Sequence, residues 1–402
     1  MRRFFFLISL CLSLICGAQE LPDSLSVGFV TCEPGPEIFE LYGHEGVRVS
    51  GRVDGQNIDV VFNYGVFDFS SPGFVWRFVK GETDYMAVAQ PTDLFLYPYR
   101  KRGSRVIERV MPLSQQEARQ MYERLLDDVR PENSTYRYKY FTNNCATKPL
   151  AHLTAVTGER LKPRDDHKPV TYRELLKQYN EGYPWYQFGI DLALGSGIDR
   201  PISLREESFA PVMLELMLER ATLPDGTPAA APGVTLIEER DGPAVLPPTP
   251  WYLTPLFWSL IVLLIALLVS AGELKAGHSI LGSRIFDTLY YTALGLTGCV
   301  IAFLIFVSVH EASSPNWLFL WSNPLCLIAA VAVWPKRLEK LSVCYQFVNF
   351  ALLITLAVIL LCGVQSPNPA FIALIAADAV RAATCIYNRY RNRRCQHEKV
   401  TR

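Results

Sequence analysis

Along residues 24–112, apolar and polar positions alternate over short runs, the two-residue period of strands buried on one face. Runs 46–50 and 58–64 are two of these, and the Asp54-Gly55 dipeptide between them is a hairpin-turn signal. The period then lengthens. Ser114-Gln115-Gln116-Glu117 has capping-box spacing and predicts a helix to about Val129. Further helices are predicted over 146–157 (ended by Gly158), 172–179 and 206–221. Residues 223–250 are rich in Pro, Gly and Ala and read as a linker, with a short strand within 234–240.

From Trp251 the polar positions thin out. Stretches 253–271, 287–309, 316–334, 344–364 and 369–387 are each long and apolar enough to cross a bilayer. Lys275 and Arg284 follow the first. Lys336, Arg337 and Lys340 follow the third, and Arg389, Arg391, Arg393 and Arg394 follow the fifth. The loops at 310–315 and 365–367 carry neither Lys nor Arg, so the positive-inside rule puts the basic loops in the cytoplasm and residues 19–250 outside it. The N-terminus, MRRFFFLISLCLSLICGAQE, agrees: two arginines, a short apolar run and small residues before Gln19 make a signal pattern cleaved after Ala18. Ile15 is too large for a lipoprotein signal at Cys16. The expected organisation is a signal peptide (1–18), a periplasmic domain (19–222), a linker (223–250), a five-helix inner-membrane domain (251–389) and a basic cytoplasmic tail (390–402).

Thirty-nine basic residues balance thirty-nine acidic ones, which argues against nucleic acid as a partner. Eight of the ten cysteines fall in the signal segment or the apolar C-terminal third. Cys32 and Cys145 remain, and a disulfide between them is one reading for an oxidising compartment. No CxxC pair or His/Cys cluster has zinc-ligand spacing, and no cofactor is expected.

Cys145 stands in "YFTNNCATKPL" at the start of a predicted helix, behind Asn143 and Asn144, where the positive end of the helix dipole favours a thiolate. It is either a buried structural thiol or a nucleophile, and a nucleophile needs a base. His152 lies two turns along the same helix, roughly 10 Å away, and reads as packing. His167, in "KPRDDHKP", reads as a solvated loop residue. His44, in "LYGHEGVRVS", is the remaining candidate, its alternative being a strand-end histidine bonded to a carbonyl. A turn near 53–54 places Asn63 opposite His44 or diagonally adjacent on the same face, with Glu45 on the other face. Asn63 can then orient the imidazole while the second ring nitrogen meets the thiol. The Cys145 N–H, with the side chain of Asn143 or Asn144, is the expected oxyanion donor set. His310 and Glu311 read as headgroup contacts or a solvated loop, and Arg200, in "GSGIDRP", as a phosphate ligand or part of a tight turn. Asp378 and Arg381, three residues apart in the fifth stretch, are expected to pair with one another.

A histidine, an asparagine on the next strand and then a helix-opening cysteine are the groups of a papain site with the strand pair placed first. "GHEGVRV", "FNYG" and "NNCATKPL" resemble the circularly permuted papain-like enzymes, among them the NlpC type and the lecithin–retinol acyltransferase group. Taken with "FGIDLALGSGIDRPIS", "EESFAP" and "HEASSPNWLFLWSNPL", the chain resembles the Lnb family of Bacteroidetes, lipoprotein N-acyltransferases with an exported and a membrane domain. The resemblance implies an α+β permuted papain-like thiol domain followed by an all-α five-span membrane domain. It also implies a reaction: an acyl chain passes from a phospholipid, through a Cys145 thioester, to the α-amine of diacylglyceryl-cysteine on lipoproteins. On the residues alone, an NlpC-type peptidoglycan peptidase or amidase, a thiol phospholipase and a non-catalytic sensor remain open.

Overall fold

The computed structural model describes residues 23–68, 70–160, 162, 168–238 and 248–400. The signal segment, His167 and the middle of the expected linker lie outside these. Seven strands form one antiparallel sheet: β1 (Ser24–Cys32), β2 (His44–Val53), β3 (Gln56–Val66), β4 (Asp84–Pro91), β5 (Val106–Val110), β6 (Thr135–Arg137) and β7 (Val234–Ile237). Their order is β6-β4-β3-β2-β1-β5-β7. Asp54 (φ 49°) and Gly55 (φ 77°) are both left-handed, as the tight turn between β2 and β3 requires.

The alternation along the strands sorts side chains to two faces. On one, Val47, Val49 and Phe62 meet Met121 and Leu125 of helix Gln115–Asp128, Leu150 and Leu153 of helix Thr147–Thr157, and Leu214 of helix Pro211–Arg220. On the other, Val61 lies under Phe95 and Leu96 of helix Thr92–Arg102. Each large side chain fully buried in this way contributes roughly 1.5–3 kcal/mol. Ser114 and Glu117 close the expected capping box, and Thr171 and Glu174 close another at the head of helix Tyr172–Tyr179.

Three features depart from the sequence pattern. The helix expected over 206–221 is two, Leu204–Glu207 and Pro211–Arg220, because Pro211 has no N–H and holds Ala210 extended. The expected linker contributes β7 to the sheet edge beside β5, so its first half belongs to the N-terminal domain. Helices Phe74–Lys80 and Thr92–Arg102 interrupt the strand-like region.

Among the described residues, the C-terminal domain has four helices long and apolar enough to cross a membrane: Pro255–Ala276, Leu281–Phe306, Lys336–Leu361 and Pro369–Asn392. The stretch expected as a third continuous helix, 316–334, is instead a 3₁₀ turn (Trp317–Leu320) and a short helix (Cys326–Ala332), broken at Ser322-Asn323-Pro324. It runs back along Leu281–Phe306: the Ser322 hydroxyl donates to Leu294 O, and farther on the Trp334 indole donates to Thr288 Oγ1. Gly295 and Gly298 make this possible. A Cβ on Gly298 would stand 2.4 Å from the Asn323 backbone, and one on Gly295 2.6 Å from the Leu327 side chain. Irregular backbone inside a bundle needs such burial, and Ser322 and Asn323 are both buried.

Asp378 and Arg381 do not pair with each other. Arg381 Nε and Nη2 hold Asp287 at 2.7 and 2.8 Å, and Nη2 also faces Glu273 at 2.8 Å. Asp378 accepts from Tyr291 and Asn349, both at 2.8 Å. Facing helices offer partners nearer than the next turn of the same helix, so each charge is met across the bundle.

The two domains are locked together by polar groups. Buried Arg173 holds Asp191 and Asp199 at 2.8 Å each. The loop between the last two membrane helices adds Asn368 Nδ2 to Asp191 (2.9 Å) and the Ser366 N–H to Asp199 (3.1 Å). Phe188 packs on Phe371 with ring centroids 4.8 Å apart. Arg173→Met leaves both aspartates without their cation. The expected loss is about 3–5 kcal/mol, seen as a lowered Tm in thermal unfolding of the detergent-solubilised chain. An unchanged Tm would remove this cluster from the forces that join the domains.

Candidate active site

β2 and β3 pair from the turn up to Gly46 opposite Asn63, and no farther. Beyond that point β3 turns through Gly65 at φ 97°, and its register with β4 shifts between Tyr64 and Val66. His44 and Asn63 both lie at this open end, diagonally related as the hairpin register predicts. His44 Nε2 donates to Asn63 Oδ1 at 2.7 Å, which leaves Nδ1 as the free acceptor. The imidazole sits near Phe95, 6.2 Å between centroids. Burial holds its pKa below the ordinary histidine value, against the opposing pull of the Asn63 contact.

Cys145 approaches from the opposite face, where it is buried with Val47 and Val49. It lies two residues before helix Thr147–Thr157. Asn144 shapes this entrance: its Oδ1 accepts the N–H groups of Ala146 and Thr147, both at 2.9 Å, and its Nδ2 donates to Tyr140 O and Phe209 O, both at 2.8 Å. Three backbone N–H groups face the sulfur, those of Glu45, Cys145 and Ala146. Burial outweighs them and pushes the thiol up to about 11. No hydrogen bond joins the thiol to His44. Instead both flank Gly65, where an added Cβ would stand 3.7 Å from His44 Cε1 and 3.9 Å from Cys145 Cβ.

The structure therefore brings His44, Asn63 and Cys145 to one place and leaves other candidates elsewhere. Asn144 has no N–H left for an oxyanion, since both of its amide contacts are to carbonyls. Asn143 Nδ2 donates to Arg137 O at 2.9 Å. Glu311 is held by Lys139 and by Thr142 Oγ1 (2.8 Å), and His310 Nε2 lies 2.9 Å from Phe78 O, so both tie the membrane domain to the sheet domain. Arg200 is paired with Glu206. His152 is 2.6 Å from Asp128, away from the thiol. Cys32 and Cys145 are both free thiols, not a disulfide.

Sequence reasoning missed two residues. Glu45 supplies one of the N–H groups at the sulfur, and its carboxyl is fully buried. Its Oε2 accepts from Thr31 Oγ1 at 2.9 Å, and Oε1 has no hydrogen-bond partner among the described residues. Burial raises the pKa of this carboxyl well above the usual carboxylate range, against the lowering pull of the Thr31 hydroxyl. Gly65 is the other. The glycine two residues after Asn63 was a visible signal for a left-handed residue, but not for what flanks it.

A membrane bundle carrying a sheet domain, with a cysteine, a histidine and an asparagine gathered at the open end of a hairpin, is the class of protein this architecture defines. Residues 18–178 match the Lnb N-terminal periplasmic domain and residues 248–393 the Lnb transmembrane domain, so the chain belongs to the Lnb family. No curated protein and no solved structure matches it.

Two outcomes follow from this geometry. A thiol near 11 stays protonated at neutrality, so alkylation of Cys145 by iodoacetamide, followed by peptide mass spectrometry, should rise about tenfold per pH unit from pH 7 to 9. A plateau reached by pH 7 would instead reveal a preformed thiolate–imidazolium pair. Gly65→Ala should cost about 1–3 kcal/mol of backbone strain and slow the same alkylation, because its methyl group fills the space between ring and thiol. Wild-type labelling in this variant would mean that the gap is not the route to the sulfur.

Proposed function

We propose that this protein is a cysteine-dependent acyltransferase that moves an acyl chain from a phospholipid to the N-terminal amine of diacylated lipoproteins. The observation that carries it is the Cys145 sulfur, faced by three backbone N–H groups beside an Asn63-bound imidazole, in a domain clamped to a membrane bundle. In this reading the N-terminal domain is a permuted papain-like fold, with the His44–Asn63 strand pair ahead of the Cys145 helix. Segment 316–334 is a fifth, broken crossing, the membrane is the inner one, and the C-terminus is cytoplasmic.

Both partners rest neutral, so His44 acts as a general base during attack and does not hold a standing ion pair. The Cys145 side chain turns towards Nδ1, the ring takes the thiol proton, and the sulfur attacks the ester carbonyl of the phospholipid. The oxyanion forms against the N–H groups of Cys145 and Glu45. Collapse breaks the ester C–O bond, and His44 returns the proton to the departing lysophospholipid alkoxide. The lipoprotein amine then attacks the thioester carbonyl and His44 accepts an amine proton; the C–S bond breaks, His44 returns that proton to the Cys145 thiolate, and the amide leaves. Asn63 keeps the ring in the tautomer this requires.

Purified protein given phospholipid alone should gain one acyl chain on Cys145, removable by hydroxylamine and transferable to a diacyl lipopeptide. Cys145→Ala and His44→Ala should abolish this in folded protein. Asn63→Ala should slow it about 10–100-fold. A muropeptide adduct would make the protein a wall hydrolase, and acyl release only to water a lipase. A periplasm-dependent reporter fused after Arg402 should be silent.

A further inference from the structure

Helix Phe74–Lys80 has the sequence FVWRFVK, and only Phe74 is buried in it. Val75 is 72 % exposed, Trp76 60 %, Phe78 52 % and Val79 38 %. Two left-handed glycines, Gly73 and Gly81, bound the helix. A water-facing helix would not keep four large apolar side chains exposed on so short a segment.

Its surroundings explain them. The Trp76 ring lies 5.3 Å from Phe303, in the last turn of membrane helix Leu281–Phe306. The end of that helix is fastened here, with the Val309 N–H donating to Lys80 O at 2.9 Å and His310 Nε2 lying 2.9 Å from Phe78 O. Below Phe303, the outward residues Leu289, Leu296 and Val300 recur at helical spacing along one stripe, each more than half exposed. The stripe is the lipid-facing side of the bundle, and helix Phe74–Lys80 caps its upper end. Tryptophan and phenylalanine at that level are the side chains an interfacial segment uses.

From this helix a line of rings leads inward. Phe74 stacks on Phe67 at 6.0 Å, Phe67 lies 5.0 Å from Tyr85, and a Cβ on Gly65 would stand 4.0 Å from Tyr85 and 3.9 Å from Cys145 Cβ. We propose that helix Phe74–Lys80 is an interfacial element that inserts Val75, Trp76, Phe78 and Val79 among the acyl chains of the outer leaflet and draws a phospholipid tail along Phe74, Phe67 and Tyr85 towards Cys145. The acyl-chain route rests on the acyltransferase reading; the membrane insertion does not.

The test uses the full chain in bilayer nanodiscs and has two arms. First, phospholipid brominated on its acyl chains should quench tryptophan emission in the wild type more than in Trp76→Phe, the difference isolating Trp76. Equal quenching puts Trp76 outside the acyl region and overturns the proposal; a soluble protein partner that protects Trp76 from an aqueous quencher would then be the occupant. Second, Trp76→Ser combined with Val79→Ser should lower acylation of Cys145 from bilayer phospholipid at least about tenfold more than acylation from a short-chain water-soluble ester. Equal losses on both donors mean a folding defect or no lipid role, and overturn the route. Quenching at Trp76 in a wild type that never acylates Cys145 would support the insertion and sink the acyltransferase reading alone.

Discussion

Everything at the site depends on where the β2–β3 ladder stops. A ladder continued past Gly46 and Asn63 would engage the Glu45 N–H with β3 and fill the space where the thiol sits. Because β3 turns away through Gly65, that N–H faces Cys145, and side chains from opposite faces of the sheet meet around one residue without a side chain. Regular sheet keeps the faces apart by its two-residue period. The interruption is what allows a histidine from one face and a cysteine from the other to share a site.

Burial then sets the chemistry. The donors around the sulfur would favour a thiolate, yet desolvation prevails, and the same desolvation lowers the pKa of His44 and raises that of Glu45. Burial thus works against the charged form of all three groups.

The domains are held by contacts at two loops of the bundle. Loop 307–316 binds through His310 and Glu311, and loop 362–368 through Ser366 and Asn368 to the Arg173 cluster. Charges within the bundle hold its own helices together, with Arg381 joining three of them through Asp287 and Glu273. The broken segment between Asn316 and Lys336 is tolerated because glycines on the neighbouring helix let its backbone approach.

Local chemistry by itself determined the parts with short-range causes. The Ser114–Glu117 capping box and the Asp54-Gly55 turn followed from spacing; the turn left Asn63 either opposite His44 or diagonal to it, and the pairing of Gly46 with Asn63 makes it the diagonal. The apolar stretches were visible as candidate spans for the same reason: length and composition are local. The broken third stretch was overlooked: its composition is apolar enough for a helix, Asn323-Pro324 is a local breaker signal, and packing against Gly295 and Gly298 decides where the broken segment lies. The roles of Asp378 and Arg381, of His310 and Glu311, and of the Glu45 N–H depended on groups 29 to 232 residues away, or on the face a neighbour presents. Chain proximity carries no information about such contacts; only tertiary packing decided them, because the free energy of a buried polar group is set by what surrounds it in space.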